Sequence, residues 1–420
     1  MKRSIWAVAG LVAAAMLIAG CSSSSNDGGA TPKVNSKLTG DPIVVGTICS
    51  CSGQQSAGTA IVKKTINAWA SWTNAHDGVN GHPVKLIFKD DGGDPAAGLA
   101  AAKSLVEQDH VIAIVGMASL VDSNWASYVK DKGVPVIGGL PYESSFLSNP
   151  DFFVSGTPTP VTFVGQFLAM QKVGIKHFGL MYCAESPVCA RLGQLAGLAS
   201  KLTGGTISSK SIVVSATSAS YNSQCLAMKD SGVDALFIGS NSTVVTRVVD
   251  ACAKLGYTPK SINSSPTFSR DWLKDPNLED ALLVSPNANY LDPSIPGVKE
   301  FTDALSTYAP DVQTSDQFAA SSIFSWAGGQ LFAAAAKAAD LNSTSTPAEL
   351  KKGLYALKDE TLNGIAPPLN FTEGQPGFPT CYFNLAVTAG KLVTTDGGTP
   401  TCLEPAQVKG LAAALQASDG

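Results

Sequence analysis

Short β-rich runs alternate with helical stretches along this chain, and a strand followed by a helix and another strand forces neighbouring strands to run parallel. The runs are Ile43 to Ile48, Val84 to Phe88, Val111 to Val115 and Val134 to Ile137, separated by segments of helical periodicity. After Thr157 the pattern restarts, with Phe178 to Tyr182, Ile212 to Val214, Ala235 to Ile238 and a weaker Ile262 to Ser264. Two parallel sheets are expected, so the fold class is α/β with two lobes. A length of 420 residues agrees, because single cores stop growing beyond roughly 250–300 residues.

The helices between these runs read as amphipathic. Val62, Ile66, Trp69 and Thr73 fall on one stripe, and so do Val245, Val248, Val249 and Cys252 in the segment Val244 to Leu255. Such aromatics belong to a core rather than to a cofactor box. Gly297 to Tyr308 and the alanine-rich Gln317 to Ala339 continue as helices, and Asn370-Phe371, Cys381 to Val387 and Lys391 to Val393 read as short closing strands.

The amino terminus is of another kind. Lys2 and Arg3 precede an apolar run from Ile5 to Ile18 and then Ala19-Gly20-Cys21, the anatomy of a cleaved export leader over residues 1–20. Small residues just before a cysteine resemble the bacterial lipobox, in which the cysteine carries lipid, so Cys21 is expected to be a membrane anchor. Residues 21–40, rich in Ser and Gly, form a flexible tether, and the folded body begins near Asp41. The protein is expected to work outside the cytoplasm, held at the membrane by its lipid alone.

An oxidising compartment favours disulfides among the eight cysteines other than Cys21. Connectivity stays open in the sequence, but proximity favours Cys183 with Cys189, Cys225 with Cys252 and Cys381 with Cys402, leaving Cys49 with Cys51 as a small ring.

Charge and motifs exclude several functions. With 29 basic against 33 acidic side chains the net charge is −4, and no basic footprint for nucleic acid exists. There is no Gly-x-Ser-x-Gly elbow, no His-Glu-x-x-His and no phosphate loop, so no enzyme and no cofactor are expected. The four histidines, His76, His82, His110 and His177, lack ligand spacing, and Asp90-Asp91-Gly92-Gly93-Asp94 lacks the closing Glu of a calcium loop. No metal is expected, and Asp94-Pro95 reads as a helix cap.

Ser52-Gly53, Asn74 to Gly81, Lys89-Asp90-Asp91 with Asp94-Pro95, Val115-Gly116-Met117-Ala118-Ser119 and Lys254-Leu255-Gly256-Tyr257 together resemble the type I extracytoplasmic solute-binding proteins of the Leu/Ile/Val-binding family, from about Asp41 to Phe371. The resemblance implies two doubly wound lobes joined by a three-segment hinge that close over a ligand in the cleft between them. It divides the chain into 41–158 with 286–365 as lobe 1, 159–285 with 366–405 as lobe 2, and a tail over 406–420. The crossings are expected near Thr157 to Pro160, Ser285 to Asn289 and Ala366 to Asn370.

By the same resemblance Ser119, with Ala118 before it, holds a ligand carboxylate at a helix amino terminus, and Leu140 and Tyr142 contact the ligand's polar head. Family members that bind amino acids place acids at the first crossing and before the second to hold the ammonium. Here Thr157 and Ser265 stand at those places, and neither is charged. A small carboxylate or amide without a free ammonium is the expected ligand, unless Glu143 or Glu185 supplies the missing carboxylate. Gln54 and Gln55, Glu185 and Ser186, and Asn241 are further cleft candidates, with helix capping or solvation as their plainer roles. The implied function is the receptor of an ABC importer, working with a membrane permease and monomeric. A ligand sensor of the same fold feeding a signalling partner is the alternative.

Overall fold

The computed structural model describes residues 38–53, 56–185, 187–316 and 318–418. The expected leader, Cys21 with its expected lipid, most of the expected tether, and Gln54, Gln55 and Ser186 lie outside the described residues.

The first lobe is a five-stranded sheet of β1 (Ile43–Cys49), β2 (Val84–Asp90), β3 (Ile114–Met117), β4 (Val136–Gly139) and β5 (Phe152–Phe153), in the order β2-β1-β3-β4-β5 and parallel throughout. The second contains β6 (His177–Cys183), β7 (Ser208–Val214), β8 (Ala235–Gly239), β9 (Lys260–Ser264), β10 (Leu282–Ser285), β11 (Cys381–Thr388), β12 (Lys391–Thr394) and β13 (Thr401–Cys402). Its strands β7-β6-β8-β9-β10 repeat the order of the first sheet, and β11 and β12 extend it antiparallel, with β13 paired to β11. Both lobes thus have the doubly wound order in which the strand sequence reverses beside the first strand. The short β5 and β10 were not among the expected strands, and Asn370-Phe371 forms none. Instead Asn370 donates its amide to Asp359 at 2.8 Å, and the Phe371 ring meets Phe153 edge-on at 5.3 Å.

The expected stripe on the helix Val62–Ala75 is buried, with Trp69 at 0% exposure against Phe332 of the helix Ser321–Ala338. The helix Pro95–Glu107 starts where Asp94 accepts a hydrogen bond from Ala97 N at 2.8 Å, the expected cap. The helix Ser321–Ala338 lies so close to β3 and β4 that only glycine fits: a Cβ on Gly328 would sit 2.8 Å from Gly116 Cα, and one on Gly138 2.2 Å from Gly328 Cα. Gly116 and Gly138 also have φ of +60° and +64°, which side-chain-bearing residues rarely adopt.

Three chain crossings converge between the lobes. Asn287 donates to Ser155 O at 2.7 Å and Ile365 O at 3.4 Å, while Thr157 donates its hydroxyl to Pro286 O and Cys381 O. The third crossing falls later than the expected Ala366 to Asn370, between Phe371, packed on first-lobe Phe153, and β11. The expected tail is the helix Pro405–Ser418, whose Leu411 is fully buried in the second-lobe core with Leu403.

All four expected disulfides form: Cys49–Cys51, Cys183–Cys189, Cys225–Cys252 and Cys381–Cys402. Cys225 and Cys252 join two consecutive helices and are 0% and 1% exposed. No described helix is long and apolar enough to cross a membrane.

Candidate functional site

Open parallel sheets bind ligands beyond the carboxyl ends of their strands, where the strand order reverses. In the first lobe that place lies after β1 and β3, and in the second after β6 and β8. A cavity of about 580 Å³ lies between these ends, lined by both lobes.

The floor beneath the first-lobe wall is a closed polar network. Asp91, 2% exposed, accepts the Ser50 hydroxyl at 2.6 Å and Gly93 N at 2.9 Å on Oδ1, and the Ser119 hydroxyl at 2.5 Å on Oδ2. Ser119 Oγ in turn accepts from Trp125 Nε1 at 3.2 Å and Val121 N at 3.3 Å. A hydroxyl has one proton to give, and that of Ser119 goes to Asp91. Ser119 is 0% exposed and does not line the cavity, and Ala118 beside it bonds through its backbone to Ile48 and Ser50 of the first strand end. The Ser119 hydroxyl, where a ligand carboxylate was expected, is thus engaged in the floor of the cleft. Asp91, read in the sequence only as part of a strand-to-helix turn, is its centre.

The first-lobe wall comes from the loop after β4 and from the start of the helix Ser321–Ala338. Tyr142 lines the cavity, with Glu143, Leu120 and Phe324. Leu140 is buried and not on the lining, and its carbonyl accepts Glu143 N at 3.2 Å.

Glu143, 6% exposed, stands against Asp122, 1% exposed, on the turn after β3. Burial pushes the Glu143 carboxyl well above the usual range, and the charge and hydrogen bond of Asp122 push it further. Burial also raises Asp122, against hydrogen bonds from Ser145, Glu143 and nearby backbone that favour its ionised form. Of the two, Glu143 is held more strongly toward its protonated form. Burial, and then Glu143, likewise hold the Tyr142 phenol in its neutral form.

The second-lobe wall is largely apolar. Phe163, from the helix Thr159–Lys172, and Phe237 of β8 meet edge to face at 5.4 Å, with Leu192 and Leu195 beside them on the lining. Asn241 lines the cavity and also caps the helix Ser242–Lys254, accepting Val244 N at 3.1 Å. The Cys183–Cys189 disulfide lines it too, tying the end of β6 to the first turn of the helix Pro187–Leu202. On that helix Arg191 is the one cation among the described lining residues, a position the sequence gave no reason to select.

The remaining candidates sit elsewhere. Thr157 is locked in the hinge, 0% exposed. Ser265 pairs its hydroxyl with that of Ser285 at 2.7 Å, and its neighbours Ser264, Pro266 and Thr267 line the cavity in its stead. Glu185 turns away to accept the Ser215 hydroxyl and Ala216 N, both at 2.7 Å. Burial pushes its carboxyl up, but the bonds from Ser215 and Ala216 outweigh that and hold it below the usual range. Among the described residues no histidine lines the cavity, and no cluster of His, Cys, Asp or Glu is arranged to hold a metal.

A leucine-binding protein from Thermotoga maritima has a similar fold, with TM-score 0.69 and 14% identity over 86% of this chain and 99% of that one. So does a fatty acid ABC transporter substrate-binding protein from Thermomonospora curvata, with TM-score 0.71 and 16% identity over 88% and 95%. An ABC transporter solute-binding protein from Rhodopseudomonas palustris, solved with benzoate, gives TM-score 0.70 and 13% identity over 87% and 98%. No curated protein matches the chain by sequence. A family model described as periplasmic binding protein matches residues 42–391, and the chain, with two doubly wound lobes around a lined cleft, belongs to that family.

Proposed function

We propose that this protein is the lipid-anchored, monomeric receptor of an ABC importer, capturing a small carboxylate or amide solute with an apolar body and delivering it to a membrane permease. The observation that carries this reading is the cavity of about 580 Å³ shared by both lobes, in which Phe163, Phe237, Leu192 and Phe324 stand beside polar groups that include Tyr142, Glu143, Arg191 and Asn241. A ligand that touches both walls at once stabilises the closed arrangement. The uncharged Thr157 and Ser265 are each bonded within the protein, Glu185 is engaged elsewhere, and burial against Asp122 holds Glu143, the acid on the lining, toward its neutral form, which favours a ligand without ammonium. Of the similar solved structures, one is a fatty acid ABC transporter substrate-binding protein and one holds benzoate, both acids lacking ammonium, while a third is a leucine-binding protein. Release of the solute chemically unchanged is part of this reading.

Thermal-shift and calorimetric titration of the purified full-length chain in detergent tests the reading, using leucine, its keto and hydroxy analogues, benzoate, octanoate and benzamide. Selective stabilisation by the acids or amides is expected. Tight, preferential binding of leucine overturns the assignment of the ligand class.

A further inference from the structure

Two buried carboxyl groups in contact cannot both be ionised at modest cost, and here no protein cation offsets them. None of the ion pairs among the described residues includes Asp122 or Glu143. Asp122 Oδ2 is buried without a hydrogen-bond donor among the described residues, so the inner acid has an oxygen open to a proton. The titratable groups set against Glu143 are Asp122, from the turn after β3, and Tyr142, its chain neighbour. Across the same cavity, on the second lobe, stands Arg191, which takes part in none of the described ion pairs.

With one proton the pair carries a single negative charge, and the Glu143 O–H is spent on Asp122. An entering carboxylate would then meet an anion and an acceptor oxygen. A second proton changes both facts: Asp122 becomes a neutral acid donating to Glu143, and Glu143 turns its own O–H toward the ligand. Lobe closure removes water from the pair and favours that neutral form further.

Resting on the reading of the cleft as a carboxylate site, we propose that Glu143 binds the ligand's carboxylate by hydrogen-bond donation and that Asp122 takes up one proton from solvent as the ligand enters. Arg191 supplies the remaining positive charge, and no bond is made or broken beyond the proton's transfer. Solute capture by this cleft is therefore proton-linked, tighter in an acidified surrounding.

The test is titration of the full-length chain in detergent with benzoate, octanoate and the keto analogue of leucine between pH 5.5 and 8.5. Uptake of one proton predicts that Kd rises about tenfold per pH unit once the free pair holds a single proton. Calorimetry of the unaltered protein in two buffers of different ionisation enthalpy counts the proton directly, with an uptake approaching one expected. Glu143→Gln keeps an amide donor but breaks the relay, so its Kd should lose most of the pH slope seen with the unaltered protein. Acid binding with flat or strengthening affinity as pH rises overturns the proton linkage and leaves the carboxylate reading standing. Failure of every acid to bind across the range, with leucine binding instead, overturns the carboxylate reading and the linkage with it.

Discussion

Ser119 Oγ lies 2.5 Å from Asp91 Oδ2, joining the loop after β3 to the turn after β2 beneath the cleft. The bond lies under β1, which both strands flank, so one carboxylate clasps the strand ends that shape the first-lobe wall. It engages the Ser119 hydroxyl within the protein, with consequences for what its loss should do.

Ser119→Ala removes a donor from a buried carboxylate and an acceptor from Trp125. A hydrogen bond to a charged group is worth about 1.5–3 kcal/mol, so chemical denaturation should show a loss of that order. Unchanged stability together with lost ligand affinity would return Ser119 to the role of ligand contact.

Glu143→Gln should alter the pH profile of stability. The folded-state pKa of Glu143 is raised well above the ordinary 4.5, so the unfolded chain ionises first and binds fewer protons. The stability that this group contributes is complete below about pH 4.5 and declines as pH rises toward its folded value. Thermal melts without ligand should therefore show the unaltered protein losing ground to Glu143→Gln from about pH 5 to 8. Parallel profiles would contradict the protonated state assigned to Glu143.

Gly328→Ala should destabilise although alanine favours helices by about 1 kcal/mol over glycine. Its Cβ would sit 2.8 Å from both Gly116 Cα and Ile137 O, backbone atoms that cannot rotate aside. Overpacking of this kind typically costs about 1–3 kcal/mol, and denaturant titration should find a net loss.

The disulfides should rank by the chain they close. Cys225–Cys252 spans 27 residues and Cys381–Cys402 spans 21, so chain-entropy arguments give each about 3–3.5 kcal/mol. Cys183–Cys189 spans 6 and Cys49–Cys51 only 2, and paired Cys→Ala replacements there should cost progressively less global stability. Equal losses from all four would contradict this ordering.

Much of the fold was legible in the sequence because it is carried by local pattern. The alternation of apolar runs with stripes such as Val62, Ile66, Trp69 and Thr73 is a property of neighbouring residues, and it determined two parallel sheets and the faces their helices bury. Two-residue β5 has no period to read, and β10 becomes a strand by lying between β9 and β11, so neither was visible. Short sequence spacings favoured the cysteine pairs that form, but only the fold, by bringing them together, decides their connectivity.

Side-chain direction at the cleft was decided only by tertiary structure. The loops after β1, β3, β6 and β8 were identifiable, yet whether Ser119 faced the ligand depended on Asp91, 28 residues earlier, taking its proton. Thr157 was decided by Pro286 and Cys381, contributed by the other two crossings, and Glu185 by Ser215 on the loop after β7. Glu143 became a protonated cleft acid because folding buried it against Asp122, and Arg191 reached the same cavity on a helix that Cys183–Cys189 ties in place. Local sequence fixes the periodicity that builds strands and helices, whereas the availability of a polar group depends on partners distant in the chain.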